Sequence, residues 1–212
     1  MKHSIMIRII EYFSGLVLLA AGTIYSINSG LGIGATPSLG YVLSVVTGKS
    51  LGYFTVVLFS IYIITELCLC AAEERKLVIL QLPVSILFSY LIDLISAAIP
   101  YRAATPLLLR LVYLTISIVI TAFGSFFTVR AHFVPTAPDG AVSIIAARLK
   151  MPFGKVKIHF DSIHVACAVL LSLCCLKKLI GIGIGTVISS IYVGRLVNRI
   201  SSCFKKHGFK SI

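Results

Sequence analysis

Residues 30–40, GLGIGATPSLG, lie between two long apolar segments, and a related break, VPTAPDG, occupies residues 134–140. At each break a proline begins a short helical pattern, Pro37 to Thr47 and Pro138 to Leu149. Neither pattern reaches the roughly 20 residues that a helix needs to cross a bilayer. Interrupted segments at corresponding positions of two halves indicate a binding site in a membrane protein. The alternative is two ordinary loops, each followed by a helix at the membrane surface.

The composition is that of a membrane protein. Of 212 residues, 58% are hydrophobic and 12% are charged, whereas soluble domains carry about 25% charged residues. In a soluble protein the net charge of +12 would suggest nucleic-acid binding. Here most basic residues lie at the ends of apolar segments, where anionic headgroups and insertion polarity account for them, so the expected partner is the lipid bilayer and not nucleic acid.

Six apolar segments predict an all-α polytopic membrane protein with six transmembrane helices. They cover residues 5–27, 51–72, 77–99, 106–129, 156–176 and 179–197. The first segment has no small-residue cleavage site, so we interpret it as an uncleaved span. The six cysteines show no metal-ligand spacing with histidines, and neither a metal nor a cofactor is expected.

The basic residues predict the orientation. With the N-terminus inside, fourteen lysines and arginines lie on the cytoplasmic side, among them Lys2 and Lys210, and five lie on the other side, among them Lys49 and Arg102. This positive-inside bias places both termini in the cytoplasm.

The two halves of the chain align with a nearly constant shift. Three residues recur 101–102 positions later, giving the pairs Gly22 and Gly124, Pro37 and Pro138, and Gly52 and Gly154. Each half holds three spans, an odd number, so the second copy enters the membrane from the opposite side, as in inverted-topology repeats. We therefore predict one repeat at residues 1–100, a second at 101–200, and a basic cytoplasmic tail at 201–212. Chance similarity between apolar helices is the competing explanation.

Three motifs carry a family resemblance: the Gly-rich residues 30–34, the pattern Thr/Ala-Pro-Ser/Asp followed by glycine, and GIGIGT at residues 181–186. In these motifs, and over essentially its whole length, the chain resembles the YczE/YyaS/YitT group of bacterial membrane proteins. Pro138-Asp139 is similar to the proline-and-acid motif of that group, and the first copy has Ser38 in place of the acid. The resemblance implies a bacterial inner-membrane protein and supplies no substrate.

Charged residues near the second break are the main candidates for a binding site. Lys157, Asp161 and His164 are spaced i, i+4, i+7 and share one helix face, where they could form a proton relay or hold an anion. The alternative is a cytoplasmic helix end with one intrahelical ion pair. Asp139 either caps the second short helix or supplies a carboxylate, and Thr36 is placed to cap the first.

Positive charge beside the second short helix favours an anionic or zwitterionic solute. Arg130 and His132 flank that break, and helix N-termini attract anions. Asp93 and Glu66 lie inside apolar segments, where charge is costly; for both, placement towards the membrane surface is the alternative. The predicted substrate-binding residues are Thr36, Pro37, Ser38, Asp93, Arg130, His132, Pro138, Asp139, Asp161 and His164.

Gly181, Gly185 and Ser189 are small residues one turn apart, which lets helices approach closely. They predict either packing within the chain or the contact of a homodimer.

The function favoured by these patterns is that of a small secondary transporter or permease that binds a small-molecule solute at the membrane midplane between the repeats. A non-transporting accessory or assembly protein is the alternative, in which the breaks are surface loops and the polar residues pair with each other. An enzyme is not expected, because the sequence contains neither His-Glu-x-x-His nor Gly-x-Ser-x-Gly.

The charge count makes a prediction about topology. In a cysteine-free background, Lys205→Cys is expected to react with a membrane-impermeant maleimide only after the membrane is permeabilised, whereas Lys49→Cys reacts in intact cells. Labelling of position 205 from the outside would contradict the orientation.

Overall fold

The computed structural model describes residues 5–100 and 106–206, and within these ranges every regular element is an α-helix. The helices are α1 (Ile5–Ser29), α2 (Ala35–Thr47), α3 (Leu51–Leu69), α4 (Arg75–Ile79), α5 (Gln81–Ala98), α6 (Leu107–Arg130), α7 (Ala137–Leu149), α8 (Phe153–Leu176) and α9 (Ile184–Lys206). Lys2, Arg102 and Lys210, which enter the charge count, lie outside the described residues, as do residues 207–212 of the predicted tail.

Five of the described helical stretches are long and apolar enough to cross a membrane: α1, α3, residues 75–98 (α4 with α5), α6 and α8. The protein is therefore an all-helical, multi-pass membrane protein by the length and composition of its helices. The sixth predicted span, residues 179–197, is not among them. In its place α9 begins only at Ile184, and its second half carries Arg195 and Arg199, which lower its hydropathy.

The two predicted short helices are confirmed as α2 and α7, each 13 residues long. They begin at Ala35 and Ala137, shortly before Pro37 and Pro138, so the prolines lie in first turns, where a missing N–H costs no helical hydrogen bond. Thr36 therefore lies inside the first turn of α2 and not at its N-cap.

The described residues form two compact units. Unit 1 contains residues 5–34, 94–100, 106–133 and 183–206, and unit 2 contains residues 35–93 and 134–182. Each of the predicted repeats, 1–100 and 101–200, thus contributes to both units.

In unit 1, α1 and α6 approach closely at glycines. A Cβ at Gly124 would lie 2.8 Å from the backbone nitrogen of Leu19 and 3.0 Å from the carbonyl oxygen of Gly15. A Cβ at Gly22 would lie 3.1 Å from the backbone nitrogen of Thr121. Small residues let helix backbones touch in this way, which is the usual means of packing helices where no hydrophobic effect drives them together.

Two arginines make reciprocal hydrogen bonds across the α1–α6 pair. Each lies near the start of one helix and donates to two consecutive carbonyl groups where the other helix ends. The contacts join Arg110 to Ser29 (2.8 Å) and Gly30, and Arg8 to Ala131 (2.7 Å) and His132. Donors and acceptors of the two contacts are related by one shift of 102 residues.

The first glycine-rich break also belongs to unit 1 and packs against the start of α9. The carbonyl oxygen of Leu31 accepts a hydrogen bond from the backbone of Gly185 at 2.8 Å, and a Cβ at Gly183 would overlap that oxygen. Gly32 has φ +122°, a conformation that L side chains rarely adopt. The small-residue face of α9 thus packs within the chain at Gly185.

In unit 2, both short helices pack between the same two longer ones: α2 contacts α3 and α8, and α7 contacts α3 and α8. Ile63 of α3 and Ala137 and Ala141 of α7 are among the buried residues of one apolar core. Val142 of α7 and Val156 of α8 belong to another. This packing positions the first turns of α2 and α7, which contain five of the predicted site residues: Thr36, Pro37, Ser38, Pro138 and Asp139.

The glycine contacts predict a stability difference. Gly124→Ala and Gly22→Ala are each expected to destabilise the protein by about 1–3 kcal/mol, because the added methyl overpacks the α1–α6 contact. The control is Gly194→Ala in α9, where a Cβ meets nothing within 4 Å and the substitution is expected to be neutral or stabilising by about 0.5–1 kcal/mol. Thermal unfolding of the purified variants in detergent measures both, and equal effects at positions 124 and 194 would refute the close contact.

Candidate functional site

A polar cluster lies in unit 2, where the first turns of α2 and α7 meet α8. The ammonium group of Lys157 is 3.4 Å from a carboxylate oxygen of Asp139, 3.4 Å from one of Asp161 and 3.4 Å from the hydroxyl oxygen of Thr36. We call these four residues the Lys157 cluster. It joins residues from α2 with residues from α7 and α8, which lie about 100 residues later in the sequence.

Each carboxylate of the cluster also accepts a hydrogen bond from a threonine. Thr36 donates to Asp161 at 3.0 Å, and Thr136, the N-cap residue of α7, donates to Asp139 at 2.9 Å. The two threonines and Lys157 therefore provide hydrogen-bond and ion-pair partners for both carboxylates, which remain partly exposed.

The charges of the Lys157 cluster are nearly balanced. Two carboxylates and one ammonium leave a formal charge of −1, and the two helix N-termini each supply roughly +0.5 of an elementary charge. The side chain of Asp139 is 47% exposed, and those of Lys157 and Asp161 are each 27% exposed. The cluster can thus present both an anionic and a cationic group to a small molecule.

Proline, serine and glycine residues shape the first turns of α2 and α7 beside the Lys157 cluster. Pro37 and Pro138 lie in the first turns and donate no hydrogen bond there. Ser38 is fully buried and donates to the carbonyl of Ala35 at 2.6 Å, which holds the first turn of α2. Gly40 leaves room for side chains of α3 such as Leu58.

His164 lies one turn beyond Asp161 on α8 but has different partners. It is 7% exposed, its Nδ1 is 2.7 Å from the carbonyl oxygen of Phe160, and its Nε2 hydrogen-bonds to the hydroxyl of Tyr62. A neutral imidazole that donates from Nδ1 and accepts at Nε2 satisfies both contacts. His164 is therefore a buried, hydrogen-bonded neighbour of the cluster.

Three predicted site residues lie elsewhere. Asp93 accepts from Ser50 at 2.7 Å and from the backbone of Gly52 at 2.8 Å, so it holds the start of α3. Arg130 lies in unit 1, 3.4 Å from Glu11, with side chains 8% and 14% exposed. His132, also in unit 1, has φ +45° and accepts through its carbonyl the hydrogen bond from Arg8. The structure thus brings together Thr36, Asp139 and Asp161, with Pro37, Ser38 and Pro138 beside them.

Two buried polar residues were not among the predicted site residues. Glu66 is 4% exposed and Gln81 is 1% exposed, and the amide nitrogen of Gln81 donates to Glu66 at 2.8 Å. Glu66 is thus buried within the protein beside Gln81. In the sequence, the only indication of this pair is that one acid and one amide lie in two consecutive apolar segments, 51–72 and 77–99.

Residues 6–202 match the model of a family described as a family of unknown function, DUF6198. The chain belongs to this family. The matched range contains the Lys157 cluster, both breaks and the start of α9. No curated protein and no solved structure matches the chain.

The geometry of the Lys157 cluster predicts a measurable coupling. A double-mutant cycle with Lys157→Gln and Asp161→Asn is expected to give a coupling energy of about 0.2–1 kcal/mol, the range for partly exposed ion pairs. Lys155 lies on the same helix and is exposed, so Lys155→Gln with Asp161→Asn serves as the control and is expected to show no coupling. Thermal unfolding in detergent provides the four free energies of each cycle, and equal coupling in both would contradict the observed pairing.

Proposed function

We propose that this member of the DUF6198 family is a small secondary transporter whose Lys157 cluster binds a small polar solute. The observation that carries the proposal is the meeting of two interrupted helices, α2 from the first half and α7 from the second, at one charged site. Such starts of short helices, with charged side chains between them, form the substrate and ion sites of transporters built from inverted repeats.

Reciprocal contacts support the inverted repeat. Besides the two arginines, the contacting residues Leu19 and Gly124 become Thr121 and Gly22 when the halves are exchanged by 102 positions, and those two are also in contact. The helix contacts in unit 2 follow the same exchange: it converts α2 into α7 and α8 into α3, and both the α2–α8 pair and the α7–α3 pair are in contact. Tyr62 and His164 are themselves 102 residues apart and hydrogen-bond to each other. Equivalent residues that touch lie beside a two-fold axis, so we place the axis of unit 2 between them.

The six-span topology completes this proposal. Under the same exchange α9 corresponds to α5, so we assign it as the sixth span despite its basic second half. The charge count and the resemblance to the YczE/YyaS/YitT group support a bacterial inner-membrane protein with both termini in the cytoplasm.

The charges of the site favour a zwitterionic or anionic solute. A solute anion gains from Lys157 and the two helix N-termini, and a solute cation gains from Asp139, the most exposed of the three charged members of the cluster. A zwitterion satisfies both groups and replaces the internal ion pairs with equivalent contacts.

One observation favours the second candidate, a non-transporting accessory protein. In the free protein the charged members of the Lys157 cluster pair with each other, and His164 pairs with Tyr62, as that alternative expects. The two candidates differ in whether a solute displaces these pairs.

Ligand-induced stabilisation tests the proposal. The purified full-length protein is heated with glycine as a zwitterion, phosphate as an anion or ammonium as a cation. We expect glycine or phosphate to stabilise the wild type, by about 2.7 kcal/mol at a hundredfold excess over Kd. Asp139→Asn is expected to abolish stabilisation by glycine, because it removes the carboxylate that would bind the ammonium group, and Lys157→Gln is expected to abolish stabilisation by phosphate. Lys206→Gln, at the end of α9, is the control and should retain it.

Flux in proteoliposomes separates transport from binding alone. Asp161→Asn is expected to change the pH dependence of uptake of the stabilising solute, and His164→Ala to reduce its rate, whereas Lys206→Gln leaves both unchanged. If Asp139→Asn, Asp161→Asn and His164→Ala all leave flux and stabilisation unaltered, the site is elsewhere and the accessory role takes precedence.

A further inference from the structure

Unit 2 contains a carboxyl group that the Lys157 cluster does not use. Glu66, in the last two turns of α3, is 4% exposed, and its Oε2 accepts a hydrogen bond from the amide of Gln81 at 2.8 Å. Its other oxygen, Oε1, is buried and has no hydrogen-bond partner among the described residues. The Oε1 of Gln81 is likewise buried and without a partner in the described ranges.

The unpartnered side of the carboxyl group faces α7. A Cβ at Gly140 would overlap Oε1 of Glu66 and would lie 2.7 Å from its carboxyl carbon. Glycine at this position therefore lets the helix backbone lie directly against the carboxyl group. Because Gly140 follows Asp139, the same turn of α7 contacts both Glu66 and the Lys157 cluster.

No cation in the described ranges pairs with Glu66. On α7, Asp139 is held by Lys157 and Thr136, and Arg148 donates to the carbonyl of Leu69 at 3.0 and 2.7 Å. Other titratable groups lie on elements that contact α3: Tyr41 on α2, Arg75 and Lys76 on α4, Tyr90 and Asp93 on α5, and Lys155, Lys157, His159, Asp161 and His164 on α8. Of these, His164 bonds to Tyr62 of α3, Asp93 accepts from Ser50, and Lys157 pairs with Asp161.

An ionised Glu66 would thus be a buried charge with one neutral partner. Such a charge is costly in a membrane protein and is removed when the carboxylate takes up a proton. A proton on Oε2 of Glu66 also supplies the donor that Oε1 of Gln81 lacks, because Gln81 can turn its amide so that this oxygen accepts from the carboxylic acid.

We propose that Glu66 is a protonation site of this protein, with Gln81 as its hydrogen-bond partner in both states. In the charged state the amide N–H of Gln81 donates to Oε2. When a proton from water binds Oε2, the amide rotates and its Oε1 accepts the new O–H. One O–H bond forms on the carboxyl group, one O–H bond breaks in the hydronium ion that supplies the proton and becomes water, and the proton is the only ligand.

Protonation has a consequence for α7. The charged carboxylate lies against the backbone of Gly140, one residue from Asp139, so gain or loss of its charge changes the field and packing at the first turn of α7. A role for this change in solute transport rests on the proposed function, whereas the protonation of Glu66 does not.

Infrared difference spectroscopy of the purified full-length protein tests the proposal. Between acidic and alkaline buffers, the wild type is expected to show the C=O stretching band of a protonated carboxylic acid in an apolar setting, still present at neutral pH and lost on alkalinisation. Glu66→Gln is expected to lack this band. Glu73→Gln is the matched control, because Glu73 is an exposed acid in the turn after α3, and it should retain the band.

A second variant keeps the test decisive if Glu66→Gln does not fold. Gln81→Leu removes the hydrogen-bond partner, so the band is expected to remain and to move to higher frequency. Absence of the band from the wild type, its persistence in Glu66→Gln, or an unchanged frequency in Gln81→Leu would each overturn the proposal. Because no flux is measured, any of these results leaves the transport proposal standing.

Discussion

Backbone that leaves a helix inside an apolar protein must find partners for its N–H and C=O groups, because lipid supplies none. At the first break, Arg110 binds the carbonyl of Ser29, and the carbonyl of Leu31 accepts from Gly185. Ser26 donates to the carbonyl of Gly32 at 3.1 Å. At the second break Arg8 has the role that Arg110 has at the first. Carbonyl groups at and just before the breaks are therefore satisfied by hydrogen bonds within unit 1.

Apolar packing of the helices, more than the ion pairs themselves, holds the Lys157 cluster in position. Ion pairs exposed to the extent of Lys157 and Asp161 contribute only about 0.2–1 kcal/mol each, so stability alone is a weak reason for this arrangement. The apolar contacts of α2 and α7 with α3 and α8 position the site, and the cluster benefits from that packing more than it contributes to it.

The sequence predicted those features that depend on local pattern. Short helices at Pro37 and Pro138 follow from proline and glycine, and the pairing of Lys157 with Asp161 follows from i, i+4 spacing. It did not predict that Thr36 would donate to Asp161, because 125 residues separate them and only tertiary packing brings them together. For the same reason Arg130 was assigned to the site, whereas the structure pairs it with Glu11. Gln81 carried only a weak signal, because a single amide in an apolar segment does not reveal that Glu66 is its partner.

The two halves differ at the position where α7 meets the buried carboxyl group. Under the shift of 102 residues that we propose for the two halves, Gly140 corresponds to Ser38, one position from the sequence-based match of Ser38 to Asp139, and Glu66 corresponds to Ala168. Ser38 and Ala168 are both fully buried, so the first-half short helix carries a hydroxyl where α7 has none, and its counterpart on α8 is a methyl group. The buried acid therefore lies against α7 and has no acidic counterpart at Ala168, so under our proposal its protonation acts on α7.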